Sequence, residues 1–286
     1  MNFMTVKTST ETQSQTVIEE EIWEPPMPPT DLIFDDEEVL ESNRHRVNMN
    51  ALIRSLQQAF VDRNDFFVGG NMFIYYSSAQ ARNRDYKGPD FFVTLNIDGS
   101  YPRQGWVVWE EAGRYPDVIV ELMSPSTKAN DLGKKKEIYE RTFHTPDYFV
   151  YDPFDSHSLQ GWHLNGNQRY QELVPNEQGR LWCESLGFWL GTWEGTIDRE
   201  TTTWLRFFDP QGNLVLLPEE AAQQQAEIAQ QQAEIAQQQA EIAQQQAETA
   251  QQQAEIAQQQ AEAERQKSDR LAAKLREMGL DPDNLS

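Results

Sequence analysis

The sequence is poor in cysteine and histidine and contains no long apolar run. Cys183 is the only cysteine among 286 residues, which excludes an intramolecular disulfide and a cysteine-rich zinc site. The four histidines show no metal-site spacing. No segment approaches the roughly 18 apolar residues of a membrane span, and the N-terminus lacks a basic region followed by an apolar stretch. We therefore expect a soluble cytoplasmic protein without membrane association.

Basic residues are also scarce. The chain has 24 Lys and Arg against 46 Asp and Glu, giving a formal net charge of −22 at pH 7. The segment from Glu219 onward holds thirteen acidic and five basic residues, which leaves −14 for residues 1–218. This balance opposes non-specific affinity for phosphate backbones. A nucleic-acid function would therefore need a local basic cleft.

A buried strand with one carboxylate lies at the centre of the predicted fold. Val118 to Leu122 is an apolar run of strand length that contains Glu121. Burying a carboxylate is costly unless a metal, a cation or hydrogen bonds compensate it; alternatively, Glu121 pairs with a lysine or lies at an exposed strand end. Asp117 shares its face, but at about 3.3 Å per residue the two lie roughly 13 Å apart. A metal site would therefore need a carboxylate from a neighbouring strand.

A short helix carrying three consecutive lysines follows this strand. At 100° per residue its apolar face consists of Leu132, Ile138, Tyr139 and Phe143. Lys135 falls inside that arc, whereas Lys134 and Lys136 fall at its margins and are expected to be solvated. Lys135 is therefore predicted to point toward whatever the helix covers. The alternative is a surface pair between Asp131 and Lys135 at spacing i,i+4.

The N-terminal part of the chain predicts an arm and a helix. Residues 1–30 are polar and then proline-rich, which is typical of a flexible arm. Ser42 or Asn43 can cap a helix that extends to about Asp62.

Two strands follow this helix. Phe66 to Tyr76 predicts a strand bent at Gly69-Gly70. Pro89 suits the start of the next strand because it cannot donate to a ladder. Asp90 then lies at the mouth of that strand, where functional carboxylates often occur; the alternative is a turn or capping aspartate.

The remaining segments complete a predicted domain over residues 31–218. Trp106 to Trp109 and Pro146 to Tyr151 are further strand candidates. Helices alternating with strands in this way indicate an α/β (α+β) fold with a mixed sheet flanked by helices. Residues 161–217 predict short aromatic strands in β-hairpins packed on the sheet, with Gly195 between two such runs.

The C-terminal part is a seven-residue repeat. Ala-Gln-Gln-Gln-Ala-Glu-Ile first occurs at residues 222–228 and continues with small changes for six heptads. This period predicts a coiled-coil helix over residues 219–278, followed by a tail at 279–286. The seam is centred either on alanine or on isoleucine; the alternative is a solvated single helix or a disordered tract. We expect homo-oligomers, most simply dimers, formed through residues 222–278.

Four motifs in order give the chain a family resemblance: Gly88–Asp90, Tyr115–Thr127, Asp131 with Lys135 and Tyr139, and Pro146–Pro153. With these motifs, roughly residues 40–215 resemble the restriction endonuclease family called Uma-two, which is abundant in cyanobacteria. That family belongs to the PD-(D/E)XK nuclease superfamily. The resemblance implies a restriction-endonuclease-like fold and a Mg²⁺-dependent endodeoxyribonuclease.

The resemblance also implies site residues. Asp90 matches the superfamily's PD aspartate and Glu121 its strand carboxylate, so these two would bind Mg²⁺ or Mn²⁺. The superfamily lysine would fall at Met123 and is absent there; Lys135 matches the lysine that this family is thought to take from the following helix. Asp117 is a possible accessory ligand, and DNA is the implied substrate.

A second hypothesis comes from another class of protein. In this hypothesis, the nuclease fold is catalytically silent and serves as an oligomeric interaction module through its coiled coil. The acidic charge and Met123 favour this hypothesis. The joint placement of Asp90, Glu121 and an inward Lys135 favours the enzyme.

Overall fold

The computed structural model describes residues 42–77 and 86–279. The predicted arm over residues 1–30 and all but the first residue of the predicted tail lie outside these ranges. The chain divides into two compact units. The first comprises the described parts of residues 1–53 and 62–210, and the second comprises residues 54–61 and the described part of 211–286.

The described helices and strands follow the chain in a regular order. The helices are α1 (Asn43–Ala59), α2 (Lys128–Asn130, Asp131–Lys135, Lys136–Ile138 and Tyr139–Phe143 without a break) and α3 (Pro218–Glu277). The strands are β1 (Phe66–Gly69), β2 (Ile74–Tyr75), β3 (Phe91–Leu95), β4 (Trp106–Val107), β5 (Val118–Leu122), β6 (Asp147–Asp152), β7 (Asp155–Leu164), β8 (Tyr170–Glu172), β9 (Leu181–Cys183), β10 (Phe188–Ile197) and β11 (Glu200–Phe208).

The main sheet is mixed, as predicted. Within the described residues it has six strands in the order β1-β3-β5-β6-β7-β8. Strands β5 and β6 are parallel and are connected by α2, whereas the other neighbours are antiparallel. Strand β5 has the predicted bounds, and all five of its residues are buried because both neighbours and α2 cover it.

Helix α2 packs on one face of this sheet. Tyr139 and Phe143 lie in one apolar cluster with Ile119, Tyr148 and Val150 from β5 and β6. The apolar face predicted for the helix is therefore the face that contacts the sheet. Two of its stretches, Asp131–Lys135 and Tyr139–Phe143, are π-helical rather than α-helical, which the sequence reasoning did not anticipate.

The predicted strand from Phe66 to Tyr76 is instead two strands in different sheets. Strand β1 pairs with β3, whereas β2 pairs in parallel with β4. The chain turns between them because Gly70 passes close to other backbone: a Cβ at this position would lie 2.6 Å from the carbonyl oxygen of Asp90. The predicted strand at Trp106 to Trp109 is likewise shorter, since only Trp106–Val107 pairs.

A second sheet has the order β11-β10-β9. The prediction of short strands is confirmed for β8 and β9, which have three residues each. It was wrong for β10 with 10 residues and β11 with 9, and so was the break at Gly195. Gly195 lies inside β10 opposite Thr202. The Trp193 ring lies over Gly195, where a Cβ atom would overlap it. The glycine therefore makes room for an aromatic ring and does not mark a turn.

Helix α3 has 60 residues and begins one residue before the predicted start. The Glu220 carboxylate accepts a hydrogen bond from the Leu217 backbone N–H at 2.7 Å, which satisfies a donor next to the first turn. None of its side chains is buried in the single chain. The predicted helix is thus confirmed, whereas its pairing with other helices stays a prediction. None of the helices in residues 42–77 and 86–279 combines the length and apolar character needed to cross a membrane.

Asn48 fastens α1 to the edge strand β11. Its side-chain amide donates to the Leu205 carbonyl at 3.0 Å, and its side-chain oxygen accepts from the Leu205 N–H at 3.2 Å. Asn48 is fully buried. It therefore takes the place of a missing neighbour strand for Leu205.

Replacing Asn48 with alanine should lower the free energy of unfolding by about 2 kcal/mol, because a buried N–H and a buried C=O each lose a partner. Denaturant titration followed by circular dichroism would measure the change. Gln57→Ala, at an exposed position of the same helix, is the control and should change stability by less than about 0.5 kcal/mol. Equal effects of the two substitutions would contradict this role of Asn48.

Candidate active site at the end of strand β5

Glu121 is the buried carboxylate on which the candidate site is built. Its side chain points from β5 toward α2 and has no exposed surface. The Tyr139 hydroxyl, also fully buried, donates a hydrogen bond to Oε1 of Glu121 at 2.8 Å. One carboxylate oxygen is therefore fixed by a neutral donor, and Oε2 remains for other partners.

Lys135 lies between two buried carboxylates. Its Nζ is 3.1 Å from Oε2 of Glu121 and 2.9 Å from Oδ1 of Asp131. Asp131 is buried, so its pairing with Lys135 is not the surface pair considered from the sequence. The Lys135 ammonium lies at ion-pair distance from both oxygens, and neither oxygen has a further donor in full hydrogen-bond geometry among the described residues. The contacts are thus ionic, and both oxygens have unused acceptor capacity.

Asp90 reaches the site from the neighbouring strand. The antiparallel register pairs Phe91 with Val120, which places Asp90 opposite Glu121. Its Oδ2 accepts a hydrogen bond from the Leu122 backbone N–H at 2.7 Å, and its carboxyl group lies within hydrogen-bond reach of the Glu121 side chain. The structure therefore brings together Asp90, Glu121 and Lys135 from two strands and a helix.

Burial dominates the protonation of the two strand carboxylates. It raises the pKa of Asp90 to about 6, although the Leu122 N–H and the Lys135 charge act in the opposite direction. Burial, together with the Asp90 and Asp131 charges, raises the pKa of Glu121 to about 8, against the opposing effect of Lys135. Two carboxyls in contact cannot both ionise freely. Without a metal, the pair therefore retains a proton near neutral pH.

Lys135 stays charged in this environment. Burial alone would lower its pKa, but the Glu121 and Asp131 carboxylates outweigh it and raise the pKa above its ordinary value. A half-buried ammonium between two carboxyl groups is therefore a fixed positive charge. It can therefore stabilise negative charge that develops next to Glu121.

The structure does not bring Asp117 to this cluster. Its side chain lies just before β5, where it accepts a hydrogen bond from the Leu95 N–H at 2.7 Å and pairs with Arg114 at 3.3 Å. Burial raises its pKa, and Arg114 opposes this effect. These contacts assign Asp117 a structural place beside β3 rather than a place among the three site residues.

The other lysines of α2 and Met123 lie outside the cluster. Lys134 is exposed, as expected. Lys136 is not simply solvated, because its Nζ lies 3.6 Å from the centre of the Trp162 ring. Met123 is fully buried among apolar side chains. Among the described residues, the lysine that reaches Glu121 is therefore Lys135 of α2.

Asp131 and Tyr139 were recognised from the sequence only as part of a motif with Lys135, and neither was assigned to the site. Together with Lys135 they are spaced four residues apart along α2, which alternates α-helical and π-helical stretches. A mixture of the two averages about four residues per turn, between the narrower α-helix and the wider π-helix. The alternation therefore keeps all three side chains on one line facing Glu121. The repeated spacing of four residues is visible in the sequence, but it places the three side chains on one line only because α2 contains π-helical turns.

The cluster contains two contacting carboxylates and an ammonium rather than a preformed metal cage. Among residues 42–77 and 86–279, no three His, Cys, Asp or Glu side chains are grouped so that they could hold a metal by themselves. An ion at Asp90 and Glu121 would therefore take its remaining ligands from water or substrate.

Comparison with known families identifies the group to which the chain belongs. A family model described as "Uma2: Putative restriction endonuclease" matches residues 13–198. The chain belongs to this family. The matched range includes Asp90, Glu121 and Lys135 and excludes α3. The resemblance inferred from the motifs is thus confirmed for the part of the chain before the heptad repeat.

One similar solved structure is a "putative nuclease belonging to DUF820" from Anabaena variabilis ATCC 29413. The two chains are 13% identical, the likeness covers 56% of this chain and 86% of that chain, and the TM-score is 0.37. This likeness is too distant to carry a statement about the activity of the present chain. No curated protein matches the sequence.

The raised carboxylate pKa values predict a pH-dependent stability of the metal-free protein. Folding raises the pKa of Glu121 from 4.5 to about 8 and of Asp90 from 3.8 to about 6, so the folded state binds protons that the unfolded state releases. This stabilisation is complete below the unfolded-state pKa values and is lost progressively as the pH rises from these values to the folded-state values. Lys135 titrates above this window and contributes no slope.

Thermal unfolding with a chelator present should therefore show a melting temperature that falls from about pH 4 to about pH 8, from the ordinary pKa values of the two groups, 3.8 and 4.5, to the folded-state pKa of Glu121. Glu121→Gln removes the group responsible for the slope above the folded-state pKa of Asp90 and should flatten the curve between about pH 6 and pH 8, whereas Glu137→Gln, an exposed substitution on α2, should retain the slope. A slope that survives in Glu121→Gln would show that another group causes it.

Proposed function

We propose that the protein is a metal-dependent endonuclease that hydrolyses DNA phosphodiester bonds at Asp90, Glu121 and Lys135. The proposal is carried by one observation: two strand carboxylates in contact, with a lysine ammonium 3.1 Å from the second. Membership of the Uma2 family supports nuclease chemistry. We place the protein in the cytoplasm, where it would meet the proposed DNA substrate.

The donor set fits a hard divalent cation such as Mg²⁺ or Mn²⁺. Asp90 and Glu121 offer carboxylate oxygens, and Oε2 of Glu121 is a buried acceptor without a hydrogen-bond donor among the described residues. Mg²⁺ is commonly held by one or two carboxylates with water and substrate phosphate oxygens completing its shell, so Asp90 and Glu121 would hold it. When bound, the ion would supply a more acidic water and Lewis-acid stabilisation of the phosphate.

The residues of the chain have distinct parts in this proposal. The Leu122 N–H and the Tyr139 hydroxyl orient the two carboxylates, one oxygen each. Lys135 holds a positive charge beside Glu121, where it can orient the attacking water or stabilise the negative charge that grows on the phosphate. The low dielectric of a buried site strengthens this interaction.

Stability alone does not account for this cluster. A buried ion pair is often no more stabilising than apolar residues of the same volume. Burial within the cluster also raises the pKa values of Asp90 and Glu121, a perturbation that is common at active sites. These features favour the enzyme over the catalytically silent module, although the net charge of −22 still favours the latter.

We also propose that α3 associates with a second copy of the chain. Its apolar row is exposed in the single chain: Ile228, Ile235, Ile242 and Ile256 are each between 49% and 55% exposed. Glutamine and glutamate side chains bond at i,i+4 along a different row, for example Gln223 to Glu227 at 3.0 Å. A helix of this period buries its apolar row by pairing with an identical helix.

The nuclease proposal predicts cleavage that depends on Mg²⁺ or Mn²⁺. Plasmid and single-stranded DNA incubated with the full chain should be cut, and a chelator should stop the reaction. Asp90→Ala and Lys135→Ala should each lower the rate at least about 100-fold, the order of magnitude lost with one group that stabilises charge in a transition state.

Lys134→Ala is the matched control, because it removes a neighbouring exposed lysine and should retain most activity. Cleavage that persists equally in Asp90→Ala would point to a contaminating nuclease. Absence of cleavage by the wild type on every DNA form, with both metals, would favour the silent interaction module.

The proposed association predicts a mass that depends on α3. In sedimentation experiments the full chain should form dimers at tens of micromolar protein, whereas a chain ending at Pro218 should remain a monomer. Alanine and glutamine bury little apolar area, so we expect a dissociation constant on the order of micromolar, near −8 kcal/mol. Two monomeric species at these concentrations would identify α3 as a solvated single helix.

A further inference from the structure

The half-buried ammonium of Lys135 is shared by two buried carboxyl groups, and the proposed metal pair includes only one of them. Its Nζ lies 2.9 Å from Oδ1 of Asp131 and 3.1 Å from Oε2 of Glu121. Asp131 and Glu121 are 1% and 0% exposed and the Lys135 side chain is 17% exposed, so water screens these contacts only weakly. Asp131 is thus a full partner of the lysine, although the proposed chemistry gives it no part.

The position of Asp131 is fixed by the fold. The Tyr148 hydroxyl of β6 donates a hydrogen bond to its backbone carbonyl at 2.8 Å. This bond anchors the first π-helical stretch to the sheet, and Lys135 ends the same stretch. The carboxylate therefore lies beside the lysine because the helix and the sheet hold it there.

The ammonium and a divalent cation would both need the same oxygen of Glu121. Oε1 already accepts a hydrogen bond from the Tyr139 hydroxyl, whereas Oε2 has no donor in hydrogen-bond geometry among the described residues, so Oε2 is the oxygen more open to a metal. Oε2 is also the atom that Lys135 contacts. An ammonium with no other anion nearby would bind this oxygen fully and compete with the metal for it. A second carboxylate on the other side of the lysine reduces that competition.

We propose that Asp131 is a positioning residue that holds Lys135 beside the site while leaving Oε2 of Glu121 accessible to the divalent cation. This inference rests on the proposed metal-dependent function. It differs from a purely structural role, in which Asp131 only offsets the charge of a buried lysine, because it predicts an effect on metal binding that depends on Lys135.

Calorimetric titration of the full chain with Mg²⁺ tests the proposal without an activity assay. Asp131→Asn should bind Mg²⁺ about tenfold more weakly than the wild type, the lower end of the range for partners that orient metal ligands. Glu137→Gln is the charge-matched control: it removes one exposed carboxylate from the same helix, which pairs with Arg141, and should leave the affinity unchanged. Equal affinities of the two variants would overturn the proposal.

A double-mutant cycle separates positioning from general electrostatics. Lys135→Met should change the Mg²⁺ affinity little in the wild type, where Asp131 holds the lysine, but should restore most of the affinity lost in Asp131→Asn. Simple charge effects would instead be additive, so that Lys135→Met raises the affinity by the same factor in both backgrounds. Additivity would therefore overturn the proposal.

Two further measurements keep the outcomes distinct. Circular dichroism and thermal unfolding report whether each variant folds; if Asp131→Asn does not, Asp131→Ser takes its place, and Asp131→Glu should restore part of the affinity. Asp90→Asn should abolish Mg²⁺ binding. If the wild type itself binds no Mg²⁺, the proposed function fails and this inference fails with it. Normal wild-type binding with an additive cycle overturns the role of Asp131 alone.

Discussion

The burial of the Glu121 carboxylate is the constraint on which the rest of the site depends. A charged carboxylate in the core is strongly disfavoured unless nearby groups replace its hydration. The Tyr139 hydroxyl and the Lys135 ammonium of α2 provide this replacement, and Asp90 is brought opposite by the β3–β5 register. The path of α2 over the sheet and the antiparallel pairing of β3 with β5 therefore place the groups that surround Glu121. The aromatic packing of Tyr139 on Tyr148 keeps the helix in place.

The local features of this arrangement could be predicted from the sequence. The bounds of β5 follow from an apolar run, and the inward direction of Lys135 follows from its place within the apolar arc of the helix. Features that depend on distant partners could not. Gly195 was placed between strands because glycine is typical of turns, but here it accommodates the Trp193 ring. The spacing of Asp131 and Lys135 is that of a surface ion pair, but Asp131 is buried because α2 packs on the sheet.

Supplying the lysine from a helix changes the physical character of the site. A lysine two residues after Glu121 would project from the strand itself, whereas Met123 at that position completes the apolar cluster under α2. Lys135 instead extends from α2, which lies on one face of the sheet. The position of this helix depends on side-chain packing rather than on hydrogen bonds between strands. The charge beside Glu121 is therefore coupled to the packing of α2, and loosening that packing would remove the ammonium before it disturbs the sheet.

Because α2 contains two π-helical stretches, the number of its residues affects the direction of its side chains more than the identity of its exposed residues does. Each π-helical turn accommodates one residue more than an α-helical turn. Loss of a single residue between Asp131 and Lys135 would let the first stretch relax to an α-helix. Everything beyond it would then rotate by about 100°, the angle per residue of an α-helix. Gly133 is exposed, and a Cβ atom added there would meet no other atom within 4 Å, so this residue can be replaced but not removed. Relatives of this chain can therefore differ at such positions only while they keep the count of residues between the acid and the lysine.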